Sequence, residues 1–573
     1  MGRPPWLVGV VGLVASLLGL PSCSTGNSTP VDVGTGSGSS GGSSGTATNP
    51  GSGSASGGSD GASGSGSSSG GGSSGNTTAS SSSGAASSTG SGASSSGSTG
   101  SGASSGSTAS GASSSGSTGS GASSGSTGSS SGTTGDGGGS GSGGACGAGD
   151  PNLPPEPTIP LACATVQASQ NVAADGVPSE TSLDTSRIQA ALSACPAGQA
   201  VKLTTSGANN AFVTGPLTVP SGVTLWVDAG TTLYGTRSPA VYGSASALIT
   251  VTGAKSGIVG DGVIDGQGGE PNIGSTSSFW DANGSGGSSP ALIRVSAATD
   301  FTLYRITLHN APKFHVKLSS TGFVVWGITI KTPSKATNSA GTALTPSGAH
   351  NTDGIDPGES ASNGYIVCNK ISDGDDHIAL KGGTSVTHLV IAHNHFMAGH
   401  GMSIGSETNG GVSDIDVYDL SIDGTNSGLG GGSSNGIRIK SDSSVGGLVS
   451  NVTYSDVCVR DLANPIIVDP MYSTATGSSI PTFNGIAIHD FHSLGTTVKP
   501  TVTLNGYDAS HVTGITLDNV VVDGSSTVKA TYANVTLGPG TVSFTPSGTG
   551  VTVTNNVLGA STPNACAGKW VTF

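Results

Sequence analysis

The stretch Ser372–Gly383, SDGDDHIALKGG, sets two acids side by side, Asp375 and Asp376, in a chain whose charged residues amount to only 9%. Other polar clusters surround it at recurring distances: NTDGID from Asn351 to Asp356, GHGMSIGSE from Gly399 to Glu407, GIRIK from Gly436 to Lys440, and PIIVDPMY from Pro465 to Tyr472. Asp353 precedes Asp375 by 22 residues, Asp375 precedes His400 by 25, and His400 precedes Arg438 by 38. If each step is one or two turns of a stacked β-coil, advancing about 4.8 Å per turn, the clusters converge on one patch. Three carboxyls packed together repel, so at least one holds a proton in mild acid while its neighbours stay ionised. A protonated acid beside carboxylates that can polarise water is the equipment for cutting a glycosidic bond. Arg438 and Lys440 are two apart, so on a strand they share a face. A planar guanidinium and a point charge together suit a carboxylated sugar.

The elements that must position these residues are short and β-rich. FTLYRITLHN, FVVWGITIKT, YIVCNKISD, VTHLVIAHNHF, VSDIDVYDLSI and VSNVTYSDVCVRD begin at Phe301, Phe323, Tyr365, Val386, Val412 and Val449. The steps are 22, 42, 21, 26 and 37, matching one or two coils of a solenoid with inserted loops. A parallel β-helix accounts for this better than a sandwich of tight hairpins. Asn310, Asn369, Asn394 and Asn451 fall at similar places in the repeats and are expected to form a ladder at a coil corner. One helical pattern stands out, Asp184–Gly198, with Ile188, Leu192 and Cys195 on one side; it is placed to cap the N-terminal end. The expected fold is all-β, a single parallel β-helix with that helix as cap, covering residues 146–573.

The rest of the chain is of another kind. Residues 24–145 are almost wholly Gly, Ser, Thr and Ala, with Asp32, Asp60 and Asp136 but no Lys, Arg or aromatic residue. Such a segment cannot bury enough apolar surface to offset its ordering entropy and reads as a tether, with a reach of roughly 60 Å as a random coil. Residues 1–22 carry Arg3 and then WLVGVVGLVASLLGL, too short to span a bilayer and read as an export signal. Cys23, after LPS, resembles the lipobox cysteine of bacterial lipoproteins, although Pro21 is unusual there. The expected destination is export from a bacterium, either anchored to the outer membrane through a lipidated Cys23 on the 23–145 tether or secreted. The other six cysteines suit an oxidising compartment, with Cys163–Cys195 the favoured bridge, and none is spaced as a zinc site. A formal charge of -14 without a basic patch argues against nucleic acid as a partner. A β-helix closes its own lateral edges, so a monomer is expected.

The clusters, taken in order, resemble those of the polygalacturonases, the pectin-degrading glycoside hydrolases of family 28. The resemblance runs from CATVQASQNVAADG through DTSRIQAALSACPAGQAVKL, GVTLWVDAGTTLYG, GVIDGQGG and NAPKFHV to NTDG, GDD, GHG and RIK. It implies a right-handed β-helix that hydrolyses α-1,4-linked galacturonate with inversion. By the same resemblance Asp375 is the general acid, Asp353 and Asp376 activate water, and His400 tunes the acid. Arg438 and Lys440 hold the substrate carboxylate, and Tyr472 borders the leaving subsite. No metal or other cofactor is implied, since side chains handle both acid and water. The chain departs from the family pattern at His377, where Cys is common; alternation packs that ring away from Asp376. The segment DGTNSGLGGGSSNG between Ile422 and Ile437 is expected to reshape the groove.

Asn351 is expected to orient the turn before Asp353, and His315 to border a substrate subsite. Asp356 reads as a turn acid, and Glu407 as either a groove acid or a turn residue. His393 and His395 give a weak metal-like signal, read instead as surface or ladder residues. GSETNGG after GHGMSI resembles bacterial exo-acting members, which tilts the reading towards exo-action. The alternatives are an endo-polygalacturonase or a hydrolase of branched pectin such as xylogalacturonan or rhamnogalacturonan. A calcium-dependent lyase and a non-catalytic pectin-binding β-helix lipoprotein are more remote.

Overall fold

A computed structural model of the chain describes residues 146–425, 432–495, 497, 499–555 and 562–572. The expected export signal 1–22, the segment 23–145 with Cys23, and residues 426–431 of the Gly/Ser insert lie outside the described residues.

The strands stack as parallel ladders in a right-handed parallel β-helix. One ladder runs through Ala291–Tyr304, Val316–Trp326, Ser362–Val367, Val386–Phe396, Val412–Asp423, Leu448–Arg460, Thr482–Leu494 and Thr513–Val522. A second runs through Ile355–Pro357, Ile378–Leu380, Met402–Ile404, Asn435–Lys440, Asn464–Asp469 and Thr501–Asn505. Register is kept by stacked apolar residues. Ile355, Ile378, Met402, Ile437, Ile466 and Val502 follow one another coil by coil, all buried in the core. A one-residue slip would turn such a file out to solvent, at about 1.5–3 kcal/mol per side chain. Gly364 shows how tight the stack is, because a Cβ there would lie 2.0 Å from the Phe323 ring.

The long strands bend sharply at one recurring position. Tyr304, Trp326, Val367, Ala392, Tyr418, Ser455, His489 and Asp518 are in register, and the residue after each has positive φ. Those corner residues are Arg305, Gly327, Cys368, His393, Asp419, Asp456, Asp490 and Asn519. Asp and Asn enter this left-handed region more easily than most residues. Of the four asparagines expected to form one ladder, only Asn369 and Asn394 do so, buried, with Asn369 Nδ2 donating to Asn394 Oδ1 at 2.9 Å. Asn310 bonds Asp265 at another corner, and Asn451 bonds Asp414 at a third. Equal spacing in sequence did not place them at one corner because the bends differ.

The capping helix spans Thr185–Ala194, with Ile188 and Leu192 fully buried. Cys195 follows its last turn and is bonded to Cys163, as expected. Two short helices, Pro239–Tyr242 and Phe279–Gly284, were not evident from periodicity.

Disulfides fasten both ends of the folded part to the stack: Cys146 is bonded to the corner residue Cys368, and Cys566 to Cys458, two residues past the corner at Asp456. His393 lies between Asp419 at 2.5 Å and Asp150 at 3.0 Å, so it is no metal ligand in this arrangement. Tyr418 donates to Asp150, while Lys569 contacts Asp419 and Asp456. His395 turns instead to Ser421, 2.7 Å away. The hydrogen bond to Asp419, together with Asp150, outweighs burial and raises the pKa of His393. A raised imidazole pKa stabilises the fold fully below the ordinary value of about 6.5, and the stabilisation fades as pH climbs through the folded value. His393→Asn, which keeps a residue tolerant of positive φ, is expected to lower stability by about 1–3 kcal/mol at pH 5.5 and by less at pH 9. Thermal melts at the two pH values check this; an equal loss at both would remove the charged imidazole from the account.

Candidate active site

The second ladder brings the polar clusters together. Because Ile355, Ile378 and Met402 are in register, the residues two before them, Asp353, Asp376 and His400, hold the same place in three successive coils. The residues one after point outward: Asp356, Ala379, Ser403 and, in the next coil, Arg438. Lys440 follows Arg438 on the same face, as alternation requires.

Asp376 is the centre of the patch, 1% exposed. Arg438 Nη1 lies 3.2 Å from one of its oxygens and Lys440 Nζ 3.0 Å from the other, and Ser403 Oγ donates to it at 2.7 Å. Burial opposes its charge, but Lys440, Arg438 and Lys381 outweigh burial and hold the carboxyl far below the usual carboxylate range. Asp375, beside it, is pushed up by burial and by Asp376. A 3.0 Å hydrogen bond from His400 Nδ1 prevails, so its pKa is lowered. His400 rises in return, the bond to Asp375 overcoming burial. Asp353 behaves oppositely: burial, Asp375 and Asp356 raise it well above its ordinary value, despite Lys381 Nζ at 3.2 Å. The surroundings thus favour a proton on Asp353 and favour the ionised forms of Asp375 and Asp376.

Tyr472 lies beneath both cations, its ring centre 5.1 Å from the Arg438 guanidinium carbon and 4.9 Å from Lys440 Nζ. Asn351 occupies the turn two residues before Asp353, with φ 55°. His315 departs from expectation. It is fully buried, with Nδ1 3.1 Å from the Thr352 and Asp353 carbonyl oxygens and Nε2 2.8 Å from Thr332 Oγ1. Its ring braces the segment that leads through Asp353 into the strand Ile355–Pro357 from inside and, sealed from solvent, presents no face to the surface. His377 is buried as expected, stacked 4.6 Å from Phe396 and accepting the Gly401 N–H at 3.0 Å.

Sequence reasoning missed several neighbours. Lys381 contacts Asp353, and alternation from Ala379 would have shown it facing outward. Asp356 is no turn acid: it is 3% exposed within the strand Ile355–Pro357, and burial, opposed by Lys381 and Lys317, pushes it up to about 7. Asp373 lies fully buried behind the pair, accepting the Asp375 N–H at 3.1 Å; burial and Asp353 push it well above its ordinary value. Gly399, at φ 145°, makes room for it, since a Cβ there would fall 2.6 Å from Asp373 Oδ1.

Asp375, Asp376 and His400 each offer one ligand atom, all within 4.8 Å of one another, as a metal ion would need. The oxygens of Asp376 already hold Arg438, Lys440 and Ser403, and Nδ1 of His400 is taken by Asp375. The cations that would repel a metal ion are part of the site.

Comparison with known proteins shows which family the chain is similar to. A polygalacturonase of Ralstonia nicotianae is 41% identical over 429 residues, which cover 66% of this chain and 80% of that protein. An endo-polygalacturonase of Pectobacterium carotovorum subsp. carotovorum is 38% identical, covering 66% of this chain and 91% of its own length. The solved polygalacturonase from Erwinia carotovora ssp. carotovora superposes with a TM-score of 0.58 at 36% identity, over 67% of this chain and 99% of that one. The model of glycosyl hydrolases family 28 matches residues 195–543. The chain is a glycoside hydrolase and belongs to glycosyl hydrolase family 28.

Proposed function

We propose that this enzyme hydrolyses α-1,4-galacturonosidic bonds in unesterified polygalacturonate, the acidic backbone of pectin, with inversion. The observation that carries the reading is the placement of Arg438 and Lys440 on one outward face, over Tyr472 and against the acids. Beyond balancing Asp376, two cations on that outward face suit a sugar that carries a carboxylate. Names borne by the relatives, polygalacturonase and endo-polygalacturonase, support the same substrate.

The chemistry follows from the charges. Asp376 is the ionised group suited to activate water. Asp375 must acquire a proton before it can protonate the glycosidic oxygen. A substrate carboxylate on Arg438 and Lys440 draws their charge away from the acids. The balance at Asp375 then moves towards protonation, and a proton is taken up from solvent as substrate binds. His400, bonded to Asp375, sets how readily that occurs.

Endo-action is the mode that the 38% identical relative favours. The expectation of exo-action rested on Gly405–Gly411. In that segment Thr408 is fully buried, 3.0 Å from Ser441 Oγ, and its N–H bonds the Val445 carbonyl, so the segment is tied onto the following coil. Three disulfides in the folded part support export to an oxidising compartment, in line with the expected signal and the tether that begins at Cys23.

Incubation of the purified protein with polygalacturonate in EDTA tests the reading. Saturated oligomers of mixed length are expected, with no rise in absorbance at 235 nm. Monomer or dimer from the start would show exo-action, and unsaturated products only without EDTA would overturn hydrolysis. Asp375→Asn is expected to cut kcat by about 10²–10⁴-fold in the same assay.

The pH profile gives an independent check. A general acid works while protonated, so activity falls as pH rises through its pKa. His400 lowers the pKa of Asp375, and its removal raises it. His400→Ala should therefore move the alkaline limb of kcat/KM to higher pH while lowering the maximum rate. A shift to lower pH would contradict the coupling of His400 to Asp375.

A further inference from the structure

The cations that face the acids from the far end of the axis have a counterpart at the near end. Lys313 Nζ lies 5.2 Å and Lys317 Nζ 4.8 Å from the centre of the Phe314 ring. This repeats the arrangement of Arg438 and Lys440 over Tyr472, two cations on one aromatic ring. Register puts the two groups in one outward file. Lys317 pairs with Asp356, and the file continues through Ala379 and Ser403 to Arg438. Four coil steps separate the ends, about 19 Å, a span that no single sugar ring covers.

We infer that Lys317, with Lys313 and Phe314, forms a second carboxylate-binding station, which holds another acidic sugar of the same chain on the opposite side of the acids from Arg438 and Lys440. This rests on the polyuronide reading of the substrate. Lys317 borders a cleft of about 230 Å³, together with Arg294, Phe314, Asp356, Glu359 and Lys381. The other cations of that cleft are already paired, Arg294 with Glu359 at 3.0 Å and Lys381 with Asp353 at 3.2 Å. Among the described residues no carboxylate lies within ion-pair distance of Lys317. The carboxyl beside it in the file, Asp356, is raised by burial to about 7, against the pull of Lys381 and Lys317. In mild acid Asp356 is therefore neutral and does not compete with a substrate anion. Lys313 lies near enough to Asp353 and Asp375 to feel their charge, which sets the station beside the acids. The ring of Phe314 backs both ammonium groups and limits where they can reach.

The test is steady-state kinetics of the full chain, of Lys317→Gln and of Lys317→Arg on unesterified oligogalacturonides of graded length. Release of reducing ends by the parent establishes the underlying reading, and its absence would end both. Lys317→Gln is expected to raise KM by about tenfold on chains long enough to reach both stations, the size of one charge-assisted hydrogen bond. The rise should be far smaller on the shortest cleaved oligomer and on methyl-esterified substrate, and Lys317→Arg should recover most of the affinity. Matching thermal melts of the three proteins separate this from misfolding. A KM for Lys317→Gln that equals the parent's at every length, or that rises equally for neutral and short substrates, would overturn the station.

Discussion

Asp376 is a carboxylate sealed from solvent, and it stays ionised because residues from successive coils close on it together. Ser403 comes from one coil and Arg438 and Lys440 from the next, and all three touch its two oxygens. Burying such a charge without partners would cost several kcal/mol. The ladder that stacks Ile378, Met402 and Ile437 is thus what makes the charge tolerable, since a slip of one residue would turn Arg438 and Lys440 inward. From this clamp the other properties of the patch follow. The neighbouring acids feel a charge that cannot move: burial, Asp375 and Asp356, with Asp376 behind them, push Asp353 towards its protonated form, and Asp375 depends on His400 to stay ionised.

The same economy of stacking serves the outside of the coil. Corner residues in the left-handed region line up as a file; the N-terminal end is bound to it through Cys146–Cys368 and the Asp150–His393 contact, and the C-terminal end through Lys569 on Asp419 and Asp456, with the Cys458–Cys566 disulfide two residues away. The segment that joins residues 23–145 to the enzyme is therefore anchored in mid-stack, at Cys368, and not at the capped end. A pull transmitted along the N-terminal segment would load a covalent bond before it loaded the hydrogen-bonded first coil.

Much of this was legible in the sequence, for a physical reason. A solenoid converts spacing along the chain into height along an axis, so the intervals between Asp353, Asp375, His400 and Arg438 were enough to assemble the patch, and alternation was enough to pair Arg438 with Lys440. Where local geometry departs from the repeat, the reading failed. His315 stands just before a strand, at a corner where alternation gives no direction, and it turned inward. Asp356 resembled a turn acid because Asp353 and Gly354 precede it, yet it already belongs to a strand. Lys381 stands in the same stretch as the acid pair but went unnoticed because its partner, Asp353, belongs to the preceding coil. The asparagines were spaced alike but sat at different bends, since the corner is defined by φ and not by count. Pairings across the chain, such as Cys146 with Cys368, leave no trace in spacing at all.

The central claim is that the cations holding Asp376 ionised also receive the substrate carboxylate, and that binding therefore protonates Asp375. Calorimetric titration with galacturonate, which has no bond to cut, tests this directly when run at one pH in two buffers of different ionisation enthalpy. The account predicts net proton uptake on binding, lost in Asp375→Asn. Binding with no proton uptake, or with release, would contradict it.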